Sequence, residues 1–160
     1  MRWVLTGVLG LAALALAAAV LVMGLDLRRL DQAEAAGKEA LAAARAVAPD
    51  LLSYNYRTIE QDLERAAEHT TGELTKHYRE LRNGPFAGQR RAEQKVQQTT
   101  VVRAAVERAG PDRVEVLVFV DMGIATGGRQ EFRQNRARLV MVREDARWLV
   151  AELSTLIGKA

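Results

Sequence analysis

One domain of ordinary size is all that 160 residues allow. The chain has no cysteine, which excludes structural disulfides and thiolate-held metals. Its net charge is only +3, from 23 basic and 20 acidic side chains mixed along the chain, and such a balance argues against nucleic-acid binding.

Trp3 to Leu25 reads WVLTGVLGLAALALAAAVLVMGL, without a single charge. As a helix it reaches roughly 34 Å, enough for a hydrocarbon core of about 30 Å. Trp3 suits an interfacial aromatic, and Asp26, Arg28 and Arg29 close the run. A cleaved leader or a buried core helix are the alternatives, but a leader's apolar region is only about 7–15 residues long. Residues 1–25 are therefore predicted to be a single transmembrane helix, and 26–160 the domain it anchors. Charge alone leaves the side of the membrane open. Arg2 stands before the span, Arg28, Arg29 and Lys38 after it, and a long following domain weakens the rule.

Leu27 to Ala48 is rich in Ala, Glu and Arg, and predicts a helix that Pro49 ends. Leu30, Ala33, Gly37, Ala40 and Ala44 form a narrow seam of mostly small side chains. Such a stripe ordinarily faces the chain's own sheet. Any part of it left free would be a place for another helix to approach closely. Thr58 with Gln61, and Thr70 with Glu73, are spaced as capping boxes that start two further helices. Leu74, Tyr78 and Leu81 then recur as one buried helical face. Asn83 to Pro85 is a break, followed by a polar helical piece, FAGQRRAEQKV.

After about Gln98 the period changes to two. TTVVRAAVERA, RVEVLVFVDMGIAT, EFRQNRARLVMVR and RWLVAEL are separated by turns at Gly110–Asp112, Gly127–Gly128 and Glu144–Ala146. Val114, Val116, Val118 and Val120 share one face. The predicted fold is α+β: a transmembrane helix, then three helices packed on the concave face of a curved, antiparallel, four-stranded sheet.

Candidate chemistry is thin. Asp121, near the end of an apolar strand, and Asp62, near Tyr54 and Tyr56, are the best general bases, yet spacing fixes no partner for either. His69 and His77 lack a third ligand in register, so no metal is expected. GIATGG lacks the Lys and helix of a phosphate loop. Arg133, Arg136 and Arg138 crowd one strand, with Arg133 and Arg136 on opposite faces unless a bulge intervenes, and suit a solvated edge. Tyr54 and Tyr56 in SYNYRTIEQDL, together with Trp148, are expected to seal the helix-to-sheet joint by packing. Neither catalytic residues nor cofactors are predicted.

The order of motifs resembles one family. A span and an Ala-rich helix lead to Tyr54, Tyr56, Thr58 and Asp62 in the pattern Y-x-Y-x-T-x-x-x-D, then TTGELTKHY, the strand VEVLVFVD and a closing RWLVAEL. This is similar to the Mce-associated membrane proteins of actinobacteria, which accompany mammalian-cell-entry lipid importers. The resemblance implies a cone-shaped, nuclear transport factor two-like domain outside the cytoplasm, similar also to the periplasmic domain of a type IV secretion core component. It implies a non-catalytic accessory that assembles or stabilises the transporter by binding its subunits. A secretion-like scaffold is the alternative within that class. A membrane-tethered enzyme or small-ligand binder using the sheet pocket is the competing class.

Overall fold

The computed structural model describes the backbone of residues 2–156 and the side chains of residues 23 and 28–155. Helix α1 (Arg2–Leu52) runs unbroken across the expected boundary at Asp26. The side chains of the apolar run 3–25, Met23 apart, lie outside the described set. Among the described residues no helix is long and apolar enough to cross a membrane. After α1 come β1 (Tyr54–Asn55), α2 (Ile59–Glu68), α3 (Gly72–Asn83) and α4 (Pro85–Ala92), then β2 (Val96–Ala109), β3 (Arg113–Thr126), β4 (Arg129–Glu144) and β5 (Arg147–Leu156).

The described residues therefore hold four helices and five strands, where a separate transmembrane helix, three further helices and four strands are expected. The Ala-rich helix is one piece with the segment before it, and the extra strand is β1, only two residues long. The sheet is antiparallel with order β1-β2-β3-β4-β5, a meander closed at one edge by β1 pairing Tyr54 with Gln97 and Asn55 with Val96. Three extra residues bend it: register shifts leave Val102 and Glu107 of β2, and Ala151 of β5, without a partner opposite.

Alternation places Val114, Val116, Val118, Val120 and Met122 of β3 in the core, with Ala137, Leu139 and Met141 of β4 beside them. The β3–β4 turn uses Gly127 and Gly128 at φ of 55° and 83°, as the right-handed strand twist demands. Arg133 pairs with Met122 and Arg136 with Phe119 without a bulge, so the two arginines do lie on opposite faces.

Helix α1 lies over β2 and β3. Its buried stripe is Ala36, Ala40, Ala44 and Ala48, spaced by four, with Gly37 alongside. Small side chains let the helix sit close. A Cβ on Gly37 would come within 3.4 Å of the Ala109 Cβ, an ordinary contact. Gly37→Ala is thus expected to stabilise the fold by about 0.5–1 kcal/mol, through helix propensity alone. Chemical denaturation of the full chain in detergent measures it.

Pro49 does not end α1, which continues to Leu52. Proline removes one N–H and crowds the carbonyl four residues back, a local cost of about 3 kcal/mol. Here the last turn is held from outside. Leu51 and Leu52 are buried. The Leu51 carbonyl accepts the Tyr78 hydroxyl at 2.7 Å, and the Leu52 carbonyl accepts Gln97 Nε2 at 2.7 Å and Thr99 Oγ1 at 2.8 Å. These side chains satisfy helix-end acceptors that would otherwise be orphaned.

Candidate functional site

Ser53 to Leu63 is the corner where α1 meets the sheet and the helical layer. Ser53 Oγ accepts the Thr99 N–H at 2.9 Å, which stitches the end of α1 to β2. Asp62 holds the turn that follows: its Oδ2 accepts the Asn55 N–H and the Thr58 hydroxyl, both at 2.9 Å. Asn55 Oδ1 in turn accepts the Arg57 N–H at 3.0 Å, the side-chain turn that asparagine favours. The Thr58–Gln61 capping box is therefore absent. Thr58 occupies the N-cap position of α2 but makes no side-chain cap bond: its ψ of 16° departs from the extended backbone of a cap, and its hydroxyl donates to Asp62.

The second box is displaced as well. Helix α3 starts after Thr71, one residue late. Thr70 instead turns its hydroxyl back to the Ala67 carbonyl at 2.8 Å. The reason lies in β5: Val150 N donates to the His69 carbonyl and its own carbonyl accepts Thr71 N, which bridges Thr70 to Val150 at the sheet edge. Substitution separates the roles at the first corner. Thr58→Ala removes one hydrogen bond and should cost about 0.5–1.5 kcal/mol, whereas Asp62→Ala also strands the half-buried Asn55 N–H and should cost about 1–3 kcal/mol. Urea denaturation of both variants checks the order.

The aromatic residues divide into three separate tasks. Tyr54 is half-buried, edge-on to Phe86 with ring centres 5.8 Å apart. Burial pushes its phenol up; Arg90 opposes that and Glu93 adds to it. Tyr56 stays at the surface side of the corner, its oxygen accepting Arg57 Nε at 2.9 Å. Tyr78, not Tyr56, closes the inner side of the joint. Trp148 is not part of this corner: its Nε1 donates to Glu39 at 3.2 Å, beneath the Arg143 guanidinium, halfway along the domain part of α1.

Two shallow cavities adjoin the corner and share Asp50, Ser53, Tyr54 and Gln97. One, about 230 Å³, is lined by Leu63, Leu74, Leu81, Phe86 and Leu153. The other, about 250 Å³, is lined by Asn55, Thr58, Asp62 and Arg65. Both fall short of the roughly 300–1,000 Å³ of typical ligand pockets. Asp62 is saturated by its own turn. Asp121 is on the opposite, outer face of the sheet, exposed between Thr100 and Gln134. His77 is exposed beside Tyr78, and His69 Nε2 sits 3.3 Å from Asp50 in a half-open pair. Among the described residues no three potential metal ligands converge. This arrangement can brace a helix against a sheet; it brings no nucleophile, base and charge-stabilising donor together.

Of the predicted contact seam, Gly37, Ala40 and Ala44 are buried under the sheet, so they are not available to a partner. Leu30 is 66% exposed and Ala33 half-buried, and only this end is open. Sequence reasoning missed Gln97 and Thr99 as the residues that hold the end of α1. Polar side chains at the start of an inward-facing strand were the available signal.

No family model matches the chain. Two uncharacterized proteins of Mycobacterium tuberculosis, from strains CDC 1551 / Oshkosh and H37Rv, are each 32% identical over 123 residues, which is 74% of this chain and 55% of theirs. The chain thus spans about half the length of the curated relatives it matches. Among solved structures, an IcmL-like type IV secretion system protein from Legionella pneumophila superposes with a TM-score of 0.62 at 8% identity, covering 75% of this chain and 92% of its own. The periplasmic domain of DotI gives 0.61 at 13% identity over 75% and 93%. An Ntf2 like protein involved in plasmid conjugation gives 0.52 at 13% over 77% and 50%. The fold is therefore of the nuclear transport factor two-like kind found in secretion-system domains.

Proposed function

We propose that this chain is a non-catalytic assembly protein, anchored in the membrane by residues 3–25, whose domain outside the cytoplasm holds a multi-protein envelope complex together. The observation that carries this reading is the fold shared with secretion-system domains over about three quarters of the chain. At the corner, two cavities below ligand size and a saturated Asp62 support a bracing role over a catalytic one. DotI's domain is periplasmic, which supports a location outside the cytoplasm for this one.

Two finer readings name the complex. The fold likeness favours a type IV secretion-like scaffold. The order of Tyr54, Tyr56, Thr58 and Asp62 with TTGELTKHY and RWLVAEL favours the Mce-associated reading, in which the subunits served belong to a lipid importer. We favour the first. Neither requires a cofactor or a nucleic acid; both require the membrane and protein subunits.

Native electrophoresis of detergent-solubilised membranes, followed by identification of what co-migrates with the tagged full chain, tests the proposal. The expected result is a band well above the 17.6 kDa of one chain, containing other membrane subunits. Channel-forming secretion subunits in that band support the scaffold; importer subunits support the alternative. A chain that migrates alone and turns over a small molecule, with turnover lost in Asp62→Ala or Asp121→Ala, overturns the reading. A reporter fused after Ala160 that is active only in the cytoplasm overturns the topology.

A further inference from the structure

The outer face of the sheet, opposite the helices, carries an unusual row. Register aligns Arg103 of β2, Phe119 of β3 and Arg136 of β4 side by side across three strands. Phe119 is 41% exposed at the middle of its strand, and Val102, the extra residue of the bulge beside Arg103, is 55% exposed. Two rows away Phe132 stands 81% exposed over Gly123. An aromatic ring left open in the centre of a sheet between two arginines, with an exposed valine at the adjoining bulge, is the composition of an interface and not of a solvated face.

The charges on this face distinguish the row from its surroundings. Arg108 is paired with Glu115 at 3.0 Å, Arg113 with Glu152 at 2.8 Å and Arg138 with Glu107 at 2.6 Å. Among the described residues Arg103 and Arg136 hold neither an ion pair nor a hydrogen bond. Two strand spacings separate them, about 10 Å. Asp121, one row further along β3 between Thr100 and Gln134, carries the opposite sign and is likewise unpaired among the described residues.

We infer that this face docks an acidic segment of another protein subunit, in which two carboxylates flank an apolar side chain. Each guanidinium receives one carboxylate, and the apolar side chain covers Phe119. Arginine suits this role because its planar fork holds a carboxylate bidentately and sheds water more readily than lysine does. Asp121 repels the acidic chain from one side and so sets its direction. The inference rests on the assembly reading and names the surface that carries it.

The test uses the full chain in native membranes. Arg103→Glu with Arg136→Glu, and separately Phe119→Ala, change only exposed side chains, so the melting temperature of the purified chain should stay put. The fraction of chain in the high-mass band should fall about tenfold or more for either variant, the scale expected of interface anchors. In the wild type that band should also dissociate as salt is raised, since screening weakens exposed charge pairs. Wild-type amounts of complex in both variants would overturn the docking surface and leave the assembly reading intact. A wild-type chain that never enters a complex would overturn both. Loss of the band on nuclease treatment, or its replacement by binding to anionic lipid vesicles, would assign the row to a different occupant and equally overturn the proposal.

Discussion

Replacing Ala40 by leucine is expected to destabilise the protein by about 1–3 kcal/mol, the cost of forcing extra methylene groups into a packed core. Ala40 has no exposed surface and faces the sheet between Ala36 and Ala44. Ala40 is fully enclosed where α1 packs on β2 and β3, so three added carbons must push the helix from the sheet. Glu39, one residue before, ties α1 to Arg143 and to Trp148, and this tie loosens with the same motion. Leu30→Ala is the matched control. Leu30 is 66% exposed, and truncation there should change stability by less than about 0.5 kcal/mol. Thermal melts of both variants in detergent, with the amount of complex in membranes measured alongside, separate two uses of one helix. For Ala40→Leu the complex should fall only in proportion to the folded chain. A large loss of complex with an unchanged melt would mean that Ala40 touches a partner.

This outcome was only half legible in the sequence. Small residues recur along α1 at spacings of four and of seven alike, so periodicity leaves two stripes nearly degenerate. Packing over β2 and β3 selects the one through Ala36, Ala40, Ala44 and Ala48, with Gly37 beside it against Val106 and Ala109. The valine row of β3 was fully legible, because alternation over four residues admits one face only. Strand β1 was not, since two residues carry no period and owe their conformation to Val96 and Gln97. Pro49 shows local chemistry overridden: the last turn survives because donors from α3 and β2 reach it. At the corner, the residues Tyr54, Thr58 and Asp62 were visible as a cluster, but which oxygen serves which donor depends on the turn that they build. The Arg103–Phe119–Arg136 row was invisible, because the bulge at Val102 shifts the register by one.

Tyr78→Phe should cost about 1–3 kcal/mol at neutral pH, because it leaves the buried Leu51 carbonyl without its donor. The ring stays in place, so the loss reports the hydroxyl alone. Alkaline pH gives the same residue a second signature. Burial pushes the Tyr78 phenol well above its ordinary value near 10, and in the unfolded chain that value returns. Above a pH of about 10 the unfolded state therefore sheds this proton while the folded state keeps it. The unfolded state then binds fewer protons, and stability falls as pH rises, by up to about 1.4 kcal/mol per pH unit for one such group. Tyr54, also raised by burial, contributes in the same direction but is present in both proteins. The difference between wild type and Tyr78→Phe should thus be constant up to pH of about 9 and shrink from about 10 upward, through loss from the wild type. Urea unfolding curves across that range measure it. A gap that persists undiminished at high pH would mean that the phenol titrates alike in both states and is open to solvent, and no gap at neutral pH would mean that Gln97 and Thr99 hold the end of α1 without it.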